Sequence, residues 1–202
     1  MSNGIAHGVA PRRVVWQGTL RGQSTVEFAL AVPIFLLLLF GILEVGMLFK
    51  TYSAYQEGAQ QAARVIAGEG IAADADTQGL LQLQRTIAGE NPSTITSITI
   101  YDATATGAYV PVTGCATLPC PNTYTTYVYS PVTEAFACTA AGVQPPCPSS
   151  YWNPKSRNVS VLQLDHVGVK IVAPYKSVTG ALRSLTLVQT GTALLEPSSF
   201  GP

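Results

Sequence analysis

The sequence predicts an α+β protein in which one long N-terminal transmembrane helix extends into a small extracytoplasmic domain with an antiparallel sheet. Three observations predict it. An almost uninterrupted apolar run extends from Phe28 to Phe49. Val45, Leu48, Tyr52, Tyr55, Ala59, Ala62 and Ile66 recur at steps of three and four, a single stripe at helical period. Farther on, Ile95 to Asp102, Val167 to Ala173 and Leu185 to Leu195 read as strands.

Residues 1–22 have no periodicity. They form a basic, Gly-containing leader and stand outside the fold. The helix is expected over 23–67, on the order of 65 Å at 1.5 Å per residue. A removable signal has an apolar core of about 7–15 residues, and the run from Phe28 to Leu43 is already longer. At about 20 residues it can span a bilayer. Arg12, Arg13 and Arg21 precede it without an acidic residue among them. Lys50 alone follows closely, with Glu57 opposing it. The positive-inside bias puts the N-terminus in the cytoplasm and everything beyond about Phe49 outside. Pro33 should kink or loosen the helix, which a membrane helix tolerates. Gly41 and Gly46 offer small faces, and Gly68 and Gly70 end the helix.

The outer domain is expected over 68–202. About 135 residues suffice for a modest core. A polar turn at Asp74 to Thr77 leads into a second helix, Leu80 to Ala88. After the strand at Ile95 comes a Cys- and Pro-rich insertion over about 107–154, with a strand at Thr123 to Tyr129 inside it. The strand at Val167 should end at Pro174. A short helix is expected at Val178 to Ser184, and Glu196-Pro197 stops the last strand. Cys115, Cys120, Cys138 and Cys147 all fall on the outer side. An even count in an exported domain suggests two disulfides, in any of three connectivities. A four-cysteine zinc site is the alternative, with spacings loose for that metal.

The formal net charge is zero and 11% of residues are charged, with no basic run, which argues against nucleic-acid binding. An enzyme would have to use His166, because His7 lies in the leader. Asp165 directly precedes His166, and neighbours in a strand point to opposite faces. No phosphate loop or His-rich metal pattern appears, so no cofactor or metal is assigned. A tethered binding module, with Tyr124, Tyr127, Tyr129, Tyr151 and Trp152 as contacts, is a second reading. Ordinary packing of those rings is the plainer one.

Two carboxylates need explanation. Glu27 follows Arg21-Gly22-Gln23-Ser24-Thr25-Val26 at the mouth of the apolar run. A carboxylate there is costly in hydrocarbon and usually has a partner. Ser24 and Glu27 also have capping-box spacing. Glu44 interrupts the run near its end. It fits either the outer interface or a polar contact with a neighbouring helix.

The segment from Arg21 to Leu30 with Pro33 beyond, and Phe40-Gly41-Ile42-Leu43-Glu44-Val45-Gly46 with the Gln- and Ala-rich helix through Arg64, resemble the TadE-like family. The strand Val167 to Tyr175 and Glu196-Pro197 add a weaker likeness. These are pilin-related proteins of the bacterial tight-adherence (Tad, or Flp) pilus machinery. The resemblance implies a pilin-like fold and a minor pilin in the inner membrane, single-pass, with its C-terminal domain periplasmic or extracellular. It implies cleavage by a prepilin peptidase between Gly22 and Gln23. It also implies partnership with other pilin-like subunits and the Tad machinery, and a part in adhesion. Glu27 would pair with the freed amine of the next subunit, and Glu44 is the second assembly candidate.

Overall fold

The computed structural model describes residues 24–104, 107–108, 123–138, 152–177, 179–180 and 185–197, together with the backbone of 21–23. Helix α1 runs Arg21–Glu69 and continues through Pro33. Ser24 lies inside it, so the capping-box spacing of Ser24 and Glu27 does not mark the helix start. Gly70 ends the helix. Its φ is +58°, and its N–H donates to the Ile66 carbonyl at 3.0 Å. That is the left-handed cap in which glycine escapes a Cβ penalty.

The chain divides into two compact units, 1–42 and 43–202. In the first, the side chains of 24–42 are exposed except for half-buried Val32. In the second, α1 buries Tyr55, Ala59, Ala62, Ala63, Ile66 and Ala67. The predicted stripe is therefore buried from Tyr55 upward. Its lower members Val45 and Tyr52 are exposed, and Leu48 between them is half-buried.

Helix α2 spans Ala75–Thr86, starting five residues earlier and ending two earlier than the sequence pattern suggested. Asp74 to Thr77 is not a free turn: it holds the N-cap and first turn, and Asp76 is buried. Five strands follow: β1 (Ser97–Ala103), β2 (Tyr124–Ser130), β3 (Ala135–Ala137), β4 (His166–Tyr175) and β5 (Leu185–Leu194). They form one antiparallel sheet in the order β3-β2-β1-β4-β5. The Cys-rich insertion thus supplies β2 and β3. The helix expected at 178–184 lies outside the described residues, apart from Thr179 and Gly180.

Pro174 does not stop β4; it pairs with Thr186. The Val172 carbonyl faces β1, where it accepts from Thr96. Alternation turns Pro174 toward the same side, past the first residue of β1, so its missing N–H interrupts no ladder bond.

The register aligns Tyr127, Ile98, Ile171 and Gln189 across the sheet on the core face, with Thr125, Ile100, Val169 and Gly191 in the next row. The upper part of α1 and helix α2 pack on that face, giving two layers around one core.

Candidate processing and assembly site

Gly22-Gln23, where cleavage is expected from the sequence, lies in the first turn of the described α1 backbone. Glu27 is exposed one turn farther on. Both belong to the first unit, Glu44 to the second.

Glu44 is 3% exposed and has a set of partners in its own chain. The Tyr175 hydroxyl donates to its Oε1 at 2.9 Å. The Thr179 N–H and hydroxyl each donate to Oε2 at 3.0 Å. Both carboxylate oxygens therefore accept, which lets a charge sit buried at the end of an apolar run. The contact comes from the end of β4 and the turn after it. Neither open solvent nor another helix is needed to satisfy this carboxylate. Sequence reasoning missed Tyr175 and Thr179, because nothing local marks a tyrosine at a strand end as a partner.

Lys50 pairs with Glu90 at 3.2 Å, and Thr51 donates to the same carboxylate. Higher on α1, Gln56 and Gln60 donate to the carbonyls of Thr190 and Thr192, at 3.2 and 2.9 Å. β5 is an edge strand, and these carbonyls point away from β4. One helical i to i+4 step is about 6 Å, close to two strand residues at about 6.6 Å, so the two glutamines meet alternate carbonyls. The helix sits tightly: a Cβ on Gly191 would lie 2.4 Å from the Ala59 carbonyl carbon.

A second polar cluster stabilises the domain. Arg157 pairs with buried Asp76, which also accepts from Tyr127 at 2.8 Å. The guanidinium lies 4.5 Å from the centre of the Trp152 ring, while its Nε and Nη1 have no hydrogen-bond partner. Burial pushes the Tyr127 hydroxyl pKa up, and the Asp76 charge pushes it further. Tyr127 and Trp152 are thus core residues, Tyr124 and Tyr129 are half-buried, and Tyr151 lies outside the described residues. Asp102, at the end of β1, has its carboxyl raised to about 7 by burial and by Asp165, opposed by Arg157. Asp165 accepts from the Asn158 N–H at 2.6 Å, and His166 begins β4.

Cys138 is disulfide-bonded. Cys115, Cys120 and Cys147 lie outside the described residues. Among the described residues no group of three or more His, Cys, Asp or Glu side chains is arranged to hold a metal ion.

α1 is long and apolar enough to cross a membrane. No curated protein and no solved structure matches the chain. The profile of the TadE-like protein family matches residues 22–64, from Gly22 through Glu27 and Glu44 to the glutamine seat on β5. Over this N-terminal segment the chain is similar to the TadE-like protein family.

Proposed function

We propose that the chain is a membrane-anchored, pilin-like structural subunit of a Tad/Flp pilus assembly system, a minor pilin that contributes to adhesion. The observation that carries this reading is the family match starting at Gly22 on a single apolar helix whose membrane-length part is exposed. In this reading a prepilin peptidase cuts between Gly22 and Gln23. Glu27 then pairs with the new α-amine of a neighbouring subunit and sets its axial register. The leader is cytoplasmic, the helix spans the inner membrane once, and the sheet domain lies outside. Other pilin-like subunits and the Tad machinery are the partners, and no catalysis or cofactor is required. Two disulfides staple the insertion, which the bonded state of Cys138 supports. Glu44 is a positioning residue, holding the domain to its helix.

The test separates processing from assembly. Gly22→Phe is expected to leave the leader uncut. Glu27→Ala is expected to be cut but absent from sheared pili. Glu27→Ala subunits that enter pili at the normal level would remove the role given to Glu27.

A further inference from the structure

We infer that Asp102 and Asp165 form a pH-sensitive latch: with one of the two carboxyls protonated the loop 158–164 is held on the sheet, and with both ionised it lifts away. The latch concerns the sheet domain alone and holds whether or not the helix is processed.

The strand register places the pair. Asp102 in β1 stands directly opposite Val167 in β4, whose side chain lies in the core. Directly opposed residues share a face. Asp165 precedes Val167 by two positions. Its carbonyl accepts from the Leu195 N–H at 2.9 Å, which carries the β4–β5 ladder one pair beyond His166 and Leu194. Asp165 is therefore extended and on the same face as Asp102, its diagonal neighbour at roughly 7 Å between Cβ atoms.

Asp165 also closes the loop. Its Oδ2 accepts from the Asn158 N–H at 2.6 Å, and its own N–H donates to the Asn158 carbonyl at 3.0 Å. Between these residues the Gln163 N–H donates to the Ser160 carbonyl at 2.9 Å, making a turn. Residues 160–163 are exposed, and Val159 is half-buried against the core.

The charges around the pair do not balance it. Arg157 attracts Asp102, but its guanidinium is bonded to Asp76 of α2, which also holds the Tyr127 hydroxyl of β2. His166 alternates to the other face of the sheet. Arg64 and Glu69 of α1, Asp74, Lys155 and Glu196 are exposed. Among the described residues neither Asp102 nor Asp165 has an ion pair. Burial and the Asp165 charge accordingly raise the Asp102 carboxyl to about 7. Lifting the loop takes Asp165 away and lets Asp102 return toward its ordinary 3.8. Closure is thus favoured in full at low pH and weakens as pH rises through about 7. The loop yields before β1 does. Asp102 is bonded to the Thr123 carbonyl and sits within the β1–β4 ladder, whereas the loop has few buried contacts.

The test is hydrogen–deuterium exchange of the full chain in detergent at about pH 5 and about pH 8, corrected for the intrinsic rate at each pH. The peptide spanning Asn158 to Asp165 should be less protected than one spanning Tyr55 to Ile66 of α1 at both values, marking an opening of the loop alone. Its protection should fall about tenfold at the higher pH. In Asp102→Asn it should be the same at both. Asp165→Asn, whose amide oxygen still accepts from Asn158, should behave likewise. Equal wild-type protection at both pH values overturns the latch; that result is expected if Asp102 turns to the unpartnered Nε and Nη1 of Arg157. A fall that persists in both variants overturns it, as does loop protection equal to that of α1, which marks opening of the whole domain.

Discussion

The hydroxyl of Tyr175, the last residue of β4, donates to Oε1 of Glu44 at 2.9 Å across 131 positions of sequence. This bond joins the end of the apolar run to the end of a central strand. Tyr175→Phe removes it while keeping the ring. Hydrogen bonds to charged acceptors are among the stronger ones in proteins. The expected outcome is a fall of about 5 °C in the melting midpoint of the full chain in detergent. Thr179→Ala should cost less, because the Thr179 N–H still donates.

Gly191 is needed for space. A Cβ there meets the Ala59 carbonyl and the Gln60 nitrogen, all backbone atoms within 2.5 Å. Gly191→Ala should destabilise the domain by about 2–3 kcal/mol in chemical denaturation. Adding Ala59→Gly should not restore stability, because the conflicting atoms are not side chain. Recovery in the double variant would contradict this seat for α1.

Arg157 and Asp76 form a buried pair that is incompletely bonded, since two guanidinium nitrogens lack partners. Arg157→Met leaves a buried carboxylate and should cost about 3–5 kcal/mol. Replacing the set with Arg157→Met, Asp76→Leu and Tyr127→Phe should regain most of that loss. Urea unfolding of both variants checks the comparison.

Asp102 gives a pH dependence with a definite sign. Its carboxyl is raised to about 7 in the folded chain, against an ordinary value of 3.8. Between those values the folded state binds the extra proton, so stability is greatest at low pH and falls as pH rises toward 7. Asp102 is half-exposed, and with solvent screening the effect is on the order of 1–2 kcal/mol. Asp102→Asn should gain stability relative to wild type at pH 8 and lose that advantage at pH 4. A constant difference across this range would contradict the perturbed carboxyl.

The long helix was legible because its signals are local: an apolar run, then a stripe, then glycine at the stop. β1, β2, β4 and β5 were legible from β-branched runs. Asp74 to Thr77 misled because a polar first helical turn looks like a loop when its buried carboxylate is answered by Arg157, 81 positions away. Pro174 misled because whether a strand tolerates proline depends on where its neighbour ends. β3 has only three residues and carries no period. The partners of Glu44 were invisible for the same reason as those of Asp76: tertiary hydrogen bonds leave no spacing in sequence.

The central claim is that this helix is a processed pilin-like anchor. The most direct measurement is the intact mass and N-terminal sequence of the protein from its native membrane, with and without the host prepilin peptidase. A peptidase-dependent start at Gln23 is the predicted result. A chain that still begins at Met1 in cells containing the peptidase would contradict it.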